Sequence, residues 1–76
     1  MTYAATVYNS WMEEVEQHKA PTLEGAVRLY LDLSAKYPAR PVRVENPDNY
    51  DIDNATGLTR EEQDEVDELM EKWGAV

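Results

Sequence analysis

The sequence predicts a small α+β domain, a short sheet packed by two helices. Three observations support this fold class: strand-forming residues near the N-terminus, a capped amphipathic helix after Pro21, and a second capped helix before Gly74. A chain of 76 residues suits one domain, residues 1–76, with a modest core. The alternative is an all-α arrangement of three helices, with residues 3–18 as the first.

The N-terminal segment favours a strand over residues 2–8. It is rich in aromatic and β-branched residues, and Thr6 and Val7 are poor choices for the middle of a helix. Asn9 and Ser10 suit a turn, after which residues 11–17 form either a second strand or part of a helix, with little to separate the two. The helical alternative places one apolar stripe on Ala4, Tyr8, Trp11, Met12 and Val15.

Residues 22–37 have the pattern of an amphipathic helix. Thr22 is a natural N-cap, and Glu24 lies in the first turn, where the helix dipole favours an acid. Pro38 ends the helix at Tyr37. The apolar positions recur at helical spacing and form a broad face that suits a central helix: Leu23, Ala26, Val27, Tyr30, Leu33 and Tyr37.

The pattern of residues 41–45 predicts a short strand, because β-branched residues alternate with charged ones. The following Asn46-Pro47-Asp48-Asn49 is typical of a turn and opens a loop without periodicity that runs to Gly57. A lone strand leaves its backbone groups unpaired, so this strand needs a partner. That requirement favours the strand interpretation of residues 2–8.

The C-terminal helix is predicted over residues 59–73. Thr59 and Glu62 have the spacing of a capping box, which is a specific signal for a helix start. Gly74 is placed to end the helix. Its apolar stripe consists of Val66, Leu69, Met70 and Trp73.

Charge divides the chain into two parts. Residues 1–44 hold five acids and five bases and form a neutral scaffold. Residues 45–71 hold eleven acids and one base, Arg60, and the formal net charge of the whole chain is −9. Self-repulsion of this size costs stability, and solubility is reached with less charge. The acidic loop and helix, residues 45–73, therefore form the candidate functional region.

The leading hypothesis is a non-enzymatic protein that docks on a basic protein surface through residues 45–71. Such a surface can mimic nucleic acid and inhibit a nucleic-acid-binding partner, as small acidic phage or plasmid proteins inhibit host defence nucleases; the analogy rests on composition alone. An aromatic ring beside acids, as at Tyr50, suits contact with an Arg of the partner. The candidate partner-binding residues are Asp48, Tyr50, Asp51, Asp53, Glu61, Asp64, Glu65, Asp67, Glu68 and Glu71.

Two other functions are alternatives. The first is a homo-oligomeric structural or assembly module, whose apolar and aromatic surface makes a homodimer and whose acids serve solubility only. The second is weak calcium binding, since Asp51, Asp53 and Glu62 match ligand positions of an EF-hand loop. Ala55 and Thr56 break that pattern.

Several functions are disfavoured by the residues present. The chain has no Cys and one His, His18, so the usual metal centres and nucleophilic triads lack their residues. We therefore expect no enzyme activity, no resident metal and no cofactor. Trp11, Tyr3 and Tyr8 are expected in the core, because the chain lacks Phe.

The acidic balance also bears on partners and location. A pI near 4.3 disfavours direct binding to nucleic acid or to an anionic membrane, since both require a positive surface. No apolar stretch is long enough for a transmembrane helix, and the first residues lack the basic and apolar regions of a secretory signal. A cytoplasmic location is the resulting expectation.

Overall fold

The computed structural model describes residues 2–48 and 56–73. The elements follow in the order β1, β2, α1, β3, α2. Their bounds are Tyr3–Tyr8 for β1, Glu14–Ala20 for β2, Leu23–Lys36 for α1, Val42–Glu45 for β3 and Arg60–Lys72 for α2. The α+β class is confirmed. The three-helix alternative is wrong, because residues 3–8 and 14–20 are strands rather than one helix.

The sheet has β1 at its centre, in the order β2-β1-β3, and β1 runs antiparallel to both neighbours. β2 and β3 are therefore parallel to each other, and α1 makes the crossover between them over one face of the sheet. In the register, Thr6 lies opposite Gln17 of β2 and opposite Arg43 of β3. The strands at 2–8 and 41–45 were predicted close to their observed bounds.

The return strand begins later than predicted, at residue 14 instead of residue 11. The connection between β1 and β2 is longer than a two-residue turn. The Asn9 side-chain oxygen accepts the N–H groups of Trp11 and Glu13, each at 2.9 Å, and Met12 adopts a left-handed backbone with φ of 60°. This loop uses residues 9–13, so the strand continues to Ala20 and the predicted range 11–17 is shifted.

Both helix starts are capped as predicted. The Thr22 hydroxyl accepts the N–H of Gly25 at 3.1 Å. The Thr59 hydroxyl accepts the N–H of Glu62 at 3.1 Å, and the Glu62 carboxylate accepts the N–H of Thr59 at 2.9 Å. These reciprocal bonds satisfy backbone donors that the first helical turn leaves without partners.

The core lies between α1 and one face of the sheet. Ala5 and Val7 of β1 pack there against Leu33, and Val27 packs with Val44. α2 adds Val66, which is 1% exposed, and Leu58 enters the same cluster just before the helix. α2 packs mainly on α1 and sits on the β3 side of the sheet, away from β2.

The predicted position of Trp11 in the core is wrong. Its side chain is 81% exposed in the β1–β2 loop, while Tyr3 and Tyr8 are half-buried. The physical reason is the length of the loop: the hydrogen bonds of Asn9 close a loop over residues 9–13, so Trp11 lies outside the two strands that it joins. Among the helices of the described residues, none is long and apolar enough to cross a membrane.

The face of the sheet that points away from the helices has a polar cluster. Glu45 is only 3% exposed, and its carboxylate accepts hydrogen bonds from the Tyr8 hydroxyl and from the Thr6 hydroxyl, the latter at 3.1 Å. Gln17 donates to the Thr6 oxygen at 3.0 Å. A buried carboxylate needs such donors, because its removal from water is otherwise costly.

Candidate protein-docking surface

The candidate surface centres on α2, a helix of 13 residues. Val66, Leu69, Met70 and the adjoining Trp73 direct one side of the helix towards the core. The acids at intermediate positions must then point outwards. We call this set the acidic face: Glu61, Asp64, Glu65, Asp67, Glu68 and Glu71, all of which are exposed.

The acidic face has no basic partner within the described part of the chain. The ion pairs there join Glu16 to His18 and Lys36, and Glu24 to Arg28. None includes a residue of α2. The face does include like-charge neighbours at i,i+4, such as Glu61 with Glu65, which destabilise an isolated helix by roughly 0.2–0.5 kcal/mol each. No ion pair within the described residues neutralises this face, although Asp67 accepts a hydrogen bond from the Gln63 amide at 3.3 Å.

Of the predicted loop residues, Asp48 alone lies within the part of the chain that the structure describes. Asp48 is exposed, and its carboxylate accepts the N–H of Thr2 at 2.7 Å. The next residue of the chain, Tyr3, bonds to Glu62 in the first turn of α2. Asp48 and the start of the acidic face therefore adjoin the same end of β1. Tyr50, Asp51 and Asp53 lie outside the described residues.

Glu62 anchors α2 to the sheet and is not part of the acidic face. Burial raises its pKa, but the Thr59 N–H and the hydroxyls of Tyr3 and Thr59 more than offset this, so the pKa of Glu62 is lowered. The same contact raises the pKa of Tyr3 to about 12, because the hydroxyl donates to a carboxylate and is partly desolvated. The side chain of Tyr3 thus ties β1 to α2.

Glu45 belongs to the acidic segment in sequence but not to its surface. The hypothesis placed docking on residues 45–71 as a whole, yet this carboxylate is buried on the outer side of the sheet. Alternation along Val42–Glu45 was the available signal, because it places Glu45 and Arg43 on the same face. The presence of Tyr8 and Thr6 as donors depends on strand pairing, which the sequence did not reveal.

The described residues do not form a cluster of potential metal ligands. Within residues 2–48 and 56–73, no group of three or more His, Asp or Glu side chains is placed to hold an ion. The proposed calcium ligands Asp51 and Asp53 fall outside those ranges. Glu62, the remaining match to the EF-hand pattern, already accepts bonds from Thr59 and Tyr3.

Sequence reasoning missed the exposed apolar residues of the β1–β2 hairpin. Trp11, Met12 and Val15 are 81%, 54% and 44% exposed. The signal was the position of Trp11 directly after the turn-forming Asn9-Ser10, which marks the tip of a hairpin rather than its packed body.

Comparison with protein-family models, curated proteins and solved structures finds no match to this chain.

Proposed function

We propose that this protein is a non-enzymatic binding protein whose acidic face docks on a basic protein surface. One observation carries the proposal: the six acids of that face are exposed and have no basic partner among the described residues. The helix that displays them is firmly held, through its capping box, the buried Val66 and the Tyr3–Glu62 bond. The charges are therefore presented in a fixed arrangement, which reduces the entropy lost on binding.

The spacing of the acidic face suits a partner that binds nucleic acid. Six carboxylates between Glu61 and Glu71 occupy ten steps of the helix, or about 15 Å at a rise of 1.5 Å per residue. That is roughly one charge every 3 Å, between the spacing of a single nucleic-acid strand, about 3.4 Å, and that of a duplex, about 1.7 Å. The class of partner is thus a phosphate-binding protein surface rich in Arg and Lys, which the acidic face would occupy by charge mimicry.

The test compares two triple charge reversals. The docking variant changes Asp64, Glu68 and Glu71 to Lys. The matched control changes Glu13, Glu24 and Asp32 to Lys; these are exposed acids of the scaffold outside β2, and the change in net charge is the same. Wild type and both variants are immobilised, and proteins retained from a lysate of the native host are eluted with salt and identified by mass spectrometry.

The decisive measurement uses the protein so identified. We expect the docking variant to weaken its binding by at least tenfold while the control variant binds within a fewfold of wild type, because close charge pairs at an interface contribute roughly 1.5 kcal/mol or more each. Addition of wild type should release fluorescent duplex DNA from the partner. Equal binding by the two variants would mean that net charge, rather than the acidic face, attracts the partner, and the proposal would fail.

The alternative of a homo-oligomeric module is favoured by a separate observation, the exposed apolar residues of the hairpin. The two functions are compatible, because the hairpin and the acidic face lie on different parts of the molecule.

A further inference from the structure

β2 is an open edge of the sheet. Within residues 2–48 and 56–73, the order β2-β1-β3 leaves each outer strand with one side that no other strand covers. β3 is short, follows Pro41, and continues into Asn46, whose N–H donates to the Thr56 oxygen at 2.7 Å. β2 has seven residues with no proline among them, and no described element pairs with its outer side. Such an edge is a template for strand addition.

The register identifies the backbone groups at that edge. The N–H of Tyr8 donates to the Pro41 oxygen, so the backbone groups of Tyr8 face β3. By alternation, those of Val7 and Ala5 face β2 and meet their register partners Glu16 and His18. The N–H and C=O groups of the intervening residues, Gln17 and Lys19, consequently point away from the sheet.

Apolar surface lies beside the same edge. The three large hydrophobic residues that are exposed in the described part of the chain, Trp11, Met12 and Val15, are all on this hairpin. Asn9 holds the loop that bears Trp11 through two hydrogen bonds of 2.9 Å. An exposed Trp on an ordered hairpin beside open backbone groups is typical of a protein contact, since Trp is frequent among the residues that dominate binding energy.

The charge order along β2 indicates which partner fits. The strand begins with two acids, Glu14 and Glu16, and ends with His18 and Lys19. A second copy running antiparallel therefore brings acidic and basic ends together. When Gln17 lies opposite its own counterpart, all seven residues pair, and Glu16, which already contacts His18 of its own chain at 2.5 Å, also faces His18 of the second copy. Registers centred on Glu16 or on His18 place two residues of the same charge type opposite each other on the axis. They also pair fewer than the seven residues of β2.

The position of the acidic helices also suits this arrangement. α2 lies on the β3 side of each sheet, so a dimer through β2 places the two acidic faces at opposite ends. Six strands at about 4.8 Å separate the outer strands by roughly 24 Å. This distance exceeds the Debye length of about 8 Å at physiological salt, so repulsion between the two acidic faces is largely screened.

We propose that the chain forms a symmetric dimer by antiparallel pairing of β2 with β2 of a second copy, centred on Gln17. The resulting sheet has six continuous strands, and Trp11 of each copy packs beside the junction. The dimer presents two acidic faces at its ends, so a partner with two basic sites would bind with avidity. The pairing itself does not depend on the function proposed above.

The first test is cross-linking in the full chain, which has no native Cys. In Gln17→Cys the two introduced thiols lie directly opposite across the axis, with Cα atoms about 5.5 Å apart, which a disulfide spans. In the control Lys19→Cys, on the same edge and face, the thiols lie four positions apart, or roughly 14 Å. Under mild oxidation we expect covalent dimer from the first variant and little from the second. Equal cross-linking of both would overturn the register.

The second test is sedimentation at high salt. We expect wild type to be dimeric at about 100 µM, well above a micromolar dissociation constant, and Lys19→Pro to raise that constant roughly tenfold or more, since proline removes an edge N–H and obstructs the pairing. Lys19→Ala keeps the N–H and should remain dimeric. A wild type that is monomeric at about 100 µM, or a dissociation constant of Lys19→Pro equal to that of wild type, would contradict the proposal.

Charge variants at His18 provide a test that does not require proline. His18→Glu replaces the contact with Glu16 of its own chain and places an acid opposite Glu16 of the second copy, so it should dissociate the dimer, whereas His18→Lys should keep both attractions and the dimer. Circular dichroism of each variant establishes that the monomer fold is retained. If both variants dimerise as wild type does, β2 is not the interface.

Discussion

Two acids of the sheet, Glu16 and Glu45, and the acids of the acidic face have opposite relations to the fold. Glu16 is bound by Tyr37, His18 and Lys36, and Glu45 is enclosed by Tyr8 and Thr6. On the acidic face of α2, carboxylates of the same chemistry have no basic partner among the described residues. The first group contributes to stability, and the second is available for a partner.

This contrast shows why total charge is a poor guide to a binding surface. Glu45 falls within the acidic segment of the sequence but serves the sheet, while Asp48, three residues later, is exposed. What distinguishes the two groups is burial, because Glu45 and Glu16 are partly or fully covered by the fold while Asp48 and the acidic face are exposed. Substitutions in each group should therefore differ in size and in sign.

The largest effect is expected at Glu45. Changing Glu45 to Ala leaves a cavity and removes the acceptor of two hydroxyls, so we expect a loss of about 2–3 kcal/mol in the free energy of unfolding. Urea denaturation followed by circular dichroism measures it. Glu45→Gln keeps the volume and an acceptor oxygen and should lose less. A loss below that of an exposed acid such as Glu13 would show that the buried cluster is not stabilising.

A smaller, pH-dependent effect is expected at Glu16, which is only half-buried. Hydrogen bonds from Tyr37 and His18, with the nearby Lys36, lower the pKa of Glu16 to about 2 from an ordinary value of 4.5. Because the folded pKa is depressed, the stabilisation is fully present above pH 4.5 and is lost as the pH falls towards 2.

The measurement compares Glu16→Gln with wild type across that pH range. The variant should be less stable at neutral pH, and the difference between the two unfolding free energies should shrink as the pH falls from about 5 to 2. Glu14→Gln, on the same strand, controls for the loss of a charge. A difference independent of pH would contradict the assigned hydrogen bonds.

The smallest effect, and one of opposite sign, is expected on the acidic face. Glu65→Lys replaces a like-charge neighbour of Glu61 by an opposite charge, so we expect a gain of roughly 0.3–0.5 kcal/mol in the free energy of unfolding. Glu65→Gln removes the repulsion alone and should gain less. Thermal denaturation at low salt measures both. A clear loss of stability from Glu65→Lys would mean that the acidic face is required by the fold.

Local elements were the part of this structure that could be predicted. Helix starts at Thr22 and Thr59 depend on hydrogen bonds within one turn, and the helix end at Tyr37 depends on the following Pro38. The outward direction of the six acids on α2 likewise follows from helical periodicity around Val66. All of these features are set by interactions between residues a few positions apart.

The features that could not be predicted depend on residues far apart in sequence. The start of β2 at Glu14 depends on how Asn9 closes its loop, and the exposure of Trp11 follows from that loop. The burial of Glu45 depends on Tyr8, 37 positions away, which β1 brings alongside β3.

The sequence by itself therefore determined the two helices, their caps and the outward charge of α2, because short-range spacing and backbone restriction decide them. Only the tertiary structure decided the sheet order β2-β1-β3, which acids are hydrogen-bonded within the fold, and which strand edge has no partner strand among the described residues. Those outcomes depend on strand pairing, and a strand's partner is chosen by packing across the whole domain rather than by its own residues.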